Sequence, residues 1–404
     1  MAKQILTLVL MICSMIAVSQ EVAQWRGPDR DGIYHEEGLL KTWPGDGPEL
    51  LWHFDALGPG HASAAVTSDR IFTAGTIDGD GYVFAFDHDG NLLWNSKFGK
   101  EWLESWPGVR STPLVIGDRL YMISSYGKLF CMDAGNGKII WEADVLEKYD
   151  APNIKWGVTE NLAYHENMLF CMPGGKEYNV LAVDMNSGDL IWNCKVEGEE
   201  SAYCSPVVID HNGRTILLTQ SASSILGIDV NDGKMLWSFH WPNKYSVHAN
   251  TPYYQDGKVY CMSGYGKGGV MLEMNEDGTG VTEIWQNVDI DNRMGGFIVM
   301  DGYIYGSADN GFKWYALDWE TGEKTFGENL IKKGTIIAAD GMLYLYGEDG
   351  KIVLARPENG KINTVSTFEV PYGEDQHWAH PVIHDKKLYV RHGTSLMVYS
   401  IAAQ

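Results

Sequence analysis

The 404-residue chain carries 31 Lys and Arg against 53 Asp and Glu, a formal net charge of −22, with 45% hydrophobic and 12% aromatic residues and 46 glycines. That composition describes a globular protein with ample core and excludes a disordered or collagen-like chain. The acidic excess repels phosphate backbones and no Lys/Arg cluster reverses it locally, so nucleic acid is not expected as a partner.

The opening MAKQILTLVLMICSMIAVSQ joins Lys3 to an apolar run over residues 5–18, with the small residues Ala17 and Ser19 spaced as before a cleavage point. Residues 1–19 therefore read as a cleaved export signal. The run is shorter than the roughly 18 to 20 residues that span a bilayer, and Ile12 stands where a lipidated Cys13 would need a small neighbour. Loss of Lys3 takes the net charge from −22 to −23. Export predicts a periplasmic or secreted protein, with no later segment apolar enough to cross a membrane. Cys131, Cys171 and Cys261 sit in strand-like apolar runs and read as buried thiols. Cys194 and Cys204 flank a loop and either pair or stay free, the odd total ruling out complete pairing.

One short pattern then recurs. AFDHDGNLLW (85–94), CMDAGNGKIIW (131–141), AVDMNSGDLIW (182–192) and GIDVNDGKMLW (227–237) are followed by looser copies, EMNEDGTGVTEIW (273–285), ALDWETGEKTF (316–326) and LARPENGKINTV (354–365). The aromatics Trp94, Trp141, Trp192, Trp237, Trp285 and Phe326 are 47, 51, 45, 48 and 41 residues apart. A period of about 40 to 50 residues is that of a four-stranded propeller blade. Alternating apolar residues and Asx-Gly turns within each period predict antiparallel hairpins. Inner strands near Ala64, Pro113, Leu162, Pro206, Pro252, Phe297, Ile336 and Pro381 give eight blades, the last lacking its fourth strand at the C-terminus. PELLWHF (48–54), ending its core at Trp52, is a spare fourth strand that would close the ring and cover its edges. The expectation is an all-β, eight-bladed propeller of four-stranded antiparallel blades over residues 48–404, preceded by a lead-in over residues 20–47.

The repeat resembles the AxDxxxGxxxW tryptophan-docking repeat of eight-bladed quinoprotein-type, or PQQ-like, propellers, over nearly the whole mature chain. QWRGPDRDGIY and KTWPGDGPELLW also resemble the lead-in of exported bacterial members. The resemblance implies that Trp94, Trp141, Trp192, Trp237 and Trp285 pack blade to blade, a structural role shared by Trp52. The family includes quinone-dependent dehydrogenases, whose vicinal Cys-Cys this chain lacks, and scaffold propellers of the outer-membrane barrel assembly type. PQQ with calcium is the cofactor the resemblance leaves open.

Candidate chemistry concentrates just before the inner strands. GYGKGG (264–269) matches a dinucleotide-binding pattern but joins two strands, so it reads as a hairpin turn. DGDG (78–81), DHDG (87–90) and DIDN (289–292) lack the Glu-terminated spacing of a calcium loop. Aligned on the inner strand, His61, Arg110, Thr159, Tyr203, Ala249, Met294, Lys333 and Trp378 occupy one position. Ser63, Thr112, Asn161, Ser205, Thr251, Gly296, Thr335 and His380 follow two residues later on the same face. Glu160, His248, Arg293 and His377 enlarge the funnel, and Trp106, Trp156, Trp241 and Trp378 lie in the same entry loops. His377, His380 and His384 do not suit a metal site, since His380 and His384 would stand about 13 Å apart along a strand.

Aromatic planes with polar neighbours suit a planar or saccharide ligand. The sequence thus predicts a binding or scaffold protein for a small molecule, glycan or envelope partner. The expected ligand residues are His61, Arg110, Trp156, Glu160, Tyr203, His248, Arg293, His377, Trp378 and His380. A PQQ-dependent alcohol or sugar dehydrogenase is the alternative.

Overall fold

The computed structural model describes residues 20–196, 199–309 and 313–403, and the export signal read over residues 1–19 lies outside them. Eight sheets follow one another around a ring, each an antiparallel blade whose strands run outward in chain order. The inner strands begin at Ala65, Leu114, Ala163, Val207, Tyr253, Phe297, Gly334 and Val382, close to the positions predicted. Blade eight contributes three strands of its own, and the strand β3 (Glu49–Phe54) pairs antiparallel with Ser395–Ser400 as its fourth. The predicted closure is therefore present. The one helix among the described residues is the short turn Val145–Lys148.

The repeat motif explains the blade. Its Asp sits just after a bulge between third and fourth strands, seen at Ala85/Phe86, Cys131/Met132, Ala182/Val183, Gly227/Ile228 and Ala316/Leu317. The carboxylate then caps the turn: Asp184 Oδ1 accepts from the backbone N–H of Asn186 and Ser187 at 2.8 and 3.2 Å. The small residue before the bulge lies under the blade's own Trp, since a Cβ on Gly227 would fall 2.3 Å from the Trp237 ring.

The motif Gly serves the neighbouring blade. Gly188 and Gly233 adopt φ of +73° and +72°, and a Cβ on either would fall 2.8 or 2.5 Å from the rings of Trp141 and Trp192. Trp52 meets Gly90, Trp94 meets Gly137 and Trp285 meets Gly322 in the same way. The indole N–H of Trp52, Trp141, Trp192 and Trp285 donates to a carbonyl of the next blade, at His88, Met185, Val230 and Trp319. Trp237 departs from this pattern. Gly278 of blade five faces Ile216, His211 and Arg214 instead, and His211 and Arg214 bond Asn275 O and Asp277 O. At the closing seam the lead-in supplies the glycine: Gly47, in WPGDGPELLW, stands against Phe368.

The lead-in does more than close the ring. β1 (Val22–Ala23) pairs with Leu114–Ile116 of blade two, and β2 (Ile33–Tyr34) pairs with Gly334–Ala339 of blade seven. Between them the chain crosses the channel. Arg26 and Arg30, both buried and both at positive φ, reach across it. Arg26 donates to the carbonyls of Asp31, Phe297 and Ile336, and Arg30 to those of Asn161 and Leu162. Burial lowers both guanidinium groups to about 10, which leaves them charged at neutral pH.

All five described cysteines are free and buried, so the pairing considered for Cys194 and Cys204 does not form. Cys204 points its thiol at Ser205 O and Asn250 O, into the packing between blades.

Two outcomes test this account of the fold. Gly233→Ala places a methyl group against Trp192 at positive φ and should cost more than about 1 kcal/mol, while Trp192→Ala should cost about 3–5 kcal/mol, both read by denaturant unfolding. Arg30→Met removes charged donors from two buried carbonyls and should cost about 2–3 kcal/mol in the same assay, whereas a change below 0.5 would show the plug to be energetically idle, at roughly the level of an ordinary surface substitution.

Candidate functional site: an aromatic cup on a plugged channel

Strand alternation decides which entry-loop residues reach the axis. His61, Arg110, Trp156, Tyr203, Arg293, Trp378 and His380 converge, with Trp106 and Tyr265, around a cavity of about 160 Å³ whose floor is Trp25 of the lead-in. A cavity of about 150 Å³ holds a single six-membered ring. Its walls are aromatic: Trp106 lies 5.9 Å from Trp378 and 6.4 Å from Trp156, and Trp156 lies 6.0 Å from Tyr203, centroid to centroid. Three of these rings stand on strained backbone. Trp106, Tyr203 and Tyr265 have φ of 53°, 69° and 63°, a region that bulky side chains avoid and that clusters at ligand sites.

Glu160, His248 and His377 do not reach the cup. Each is the chain neighbour of a residue at the aligned position, as is Arg293, which does line the cup. Glu160 is buried between blades, where Oε2 accepts from Met172 N at 2.9 Å and burial raises its carboxyl to about 8. His248 is buried with Nε2 3.3 Å from Ala222 O. His377 stacks on His392 at 3.6 Å and bonds the Tyr346 hydroxyl at 2.6 Å. Trp241 is likewise buried, under the Lys267 ammonium at 3.7 Å.

The second aligned set forms a polar girdle. Ser63 N donates to Thr112 Oγ1, Thr112 N to Asn161 Oδ1 and Asn161 N to Ser205 Oγ, at 3.0, 2.6 and 3.0 Å, so blades one to four are bonded in succession. The Ser63 hydroxyl donates to His380 O across the closing seam. Arg26 donates to His380 Nδ1 at 3.1 Å, which leaves Nε2–H to donate to Met294 O at 3.0 Å. Burial beside Arg26 holds His380 neutral.

The charged groups of the cup are committed. The Arg110 guanidinium donates to the carbonyls of Ser105, Trp106 and Trp156. Arg293 pairs with Asp309 at 2.8 Å, and Lys333 shares that carboxylate. His61 is different. It is nine-tenths buried, both ring nitrogens lack a partner, and burial with the nearby Arg110 and Arg391 lowers it to about 3. The wall of the cup therefore holds a neutral imidazole whose two nitrogens are buried without a partner.

These residues do not fit a quinone with calcium. Calcium takes six to eight oxygen ligands, and no carboxylate lines the cup among the described residues. Arg110 directs both terminal nitrogens to backbone carbonyls, and Arg293 bonds Asp309 through Nε.

Comparison with known proteins follows the same division between fold and site. A family profile described as outer membrane protein assembly factor BamB matches residues 79–328. The assembly factor of that name from Yersinia pestis is 25% identical over 66% of this chain and 68% of its own length. The quinoprotein alcohol dehydrogenase PedH of Pseudomonas putida is also 25% identical, over 41% of this chain but only 28% of its own length. Among solved structures, BamB from Moraxella catarrhalis superposes with a TM-score of 0.64 at 13% identity, covering 87% of this chain and 99% of that one. With the docking tryptophans, the eight blades and the profile match in agreement, the chain belongs to the family of outer membrane protein assembly factor BamB, within the PQQ-like propellers.

Proposed function

We propose that the protein is an exported envelope propeller that works by binding, and that its aromatic cup takes a small, neutral, hydroxyl-bearing ring such as a sugar unit of a glycan. The observation that carries this reading is His61. A buried neutral imidazole with both nitrogens free can give one hydrogen bond and accept another, which is what a hydroxyl offers in return. Trp106, Trp156 and Trp378 supply flat apolar faces for the C–H side of the ring.

The relatives support the envelope setting. Those named outer membrane protein assembly factors support a second role for the same scaffold, holding an envelope protein partner. No helix among the described residues is long and apolar enough to cross a membrane, and the export signal read in the sequence would carry the chain to the periplasm or beyond. Kinship with quinoprotein dehydrogenases supports the enzyme reading less well, because no carboxylate among the described residues lines the cup to hold calcium.

Titration of intrinsic tryptophan fluorescence with methyl glycosides of glucose, galactose, mannose and N-acetylglucosamine tests the proposal. Saturable binding of at least one is expected, weakened roughly tenfold in Trp378→Ala, the weight of a single buried aromatic contact. Tight binding of PQQ with calcium, with dye reduction by alcohols, would replace it with the dehydrogenase reading.

A further inference from the structure

The other end of the channel holds a second cavity, of about 500 Å³, separated from the cup by the Trp25 and Arg26 plug. One wall is the lead-in over residues 24–31, and the other is the inner strands of blades three to six. Blades two and seven show what these inner strands accept. There β1 and β2 have added themselves as fifth strands. The inner strands Ala163–His165, Val207–His211, Tyr253–Gln255 and Phe297–Met300 each end their sheet, with no further strand paired to them among the described residues. A strand edge of this kind is a template for another chain.

The longest uncovered edge facing this cavity is also apolar. Val207, Val208 and Ile209 line the cavity and are only half-buried, beside Tyr253. Its charges point to one kind of occupant. Asp31, Glu166 and Asp210 line the cavity, and none of them forms an ion pair with Lys or Arg among the described residues. The two cations present, Arg26 and Arg30, direct their guanidinium groups to backbone carbonyls and to His380 and Gln24. Arg30 nevertheless buries its Nε–H with no acceptor.

We propose that this mouth is a docking groove for an extended basic segment of a partner protein, added as a strand to the free edge of Val207–His211. The segment's lysines or arginines face Asp31, Glu166 and Asp210, and its alternate apolar side chains cover Val207 and Ile209, which share the other face of the strand. The groove is independent of the cup, so either site can fail without the other.

Fluorescence anisotropy of the mature protein with labelled hexapeptides tests this. An alternating Lys/Val peptide should bind, and an alternating Glu/Val peptide should not. A peptide of equal positive charge interrupted by proline, which cannot donate along a strand, should also fail. The double variant Glu166→Lys, Asp210→Lys changes exposed or edge positions and should weaken the Lys/Val peptide roughly tenfold while melting as the parent does. In the parent protein, the bound peptide should slow hydrogen exchange within Val207–His211. Equal binding of the proline peptide, protection at the cup instead, no binding at all, or self-association of the protein that the double variant abolishes would each overturn the proposal.

Discussion

The contact on which the rest of the molecule depends is the packing of one blade's tryptophan over the next blade's left-handed glycine. It is a steric lock: the ring occupies the space a Cβ would need, and the positive φ of the glycine turns the hairpin to meet it. Repeated around the ring, it fixes blade spacing from the outer edge of the sheets. The ends of the inner strands carry none of that burden. They are free to vary, and the residues that distinguish one blade from another are found there.

That freedom is used differently at the two ends of the channel. The lead-in threads the axis and anchors itself with two arginines that bond carbonyls rather than carboxylates. A through-channel becomes two separate depressions. The cup side is aromatic and electrically quiet, because each of its cations is already engaged and its two histidines, His61 and His380, are held neutral. The far side is acidic, with sheet edges left open. The binding role proposed for the cup rests on that aromatic, quiet setting.

Much of this was legible in the sequence because it repeats. The AxDxxxGxxxW copies, the Pro-containing inner strands and the spare PELLWHF strand gave blade number, strand order and closure, each with a local physical cause. Period-two alternation also brought His61, Arg110, Tyr203, Trp378 and His380 to one mouth. It did not decide the chain neighbours added to that set: Arg293 lines the cup, whereas Glu160, His248 and His377 do not. The plug was not legible. Arg26 and Arg30 lie in a stretch with no periodicity, and most of their partners are backbone carbonyls more than 130 residues away, which leave no trace in residue type. Nor could the sequence disclose the strained backbone at Trp106, Tyr203 and Tyr265, since nothing in their neighbours calls for positive φ.

The most direct measurement is a crystal structure of the mature protein soaked with a methyl glycoside. The account predicts a sugar ring seated among Trp106, Trp156 and Trp378, with a hydroxyl within hydrogen-bond distance of a His61 ring nitrogen and with Arg110 still bonded to its three carbonyls. A cup that stays empty of sugar, or an acidic ligand that draws Arg110 away from those carbonyls, would contradict it.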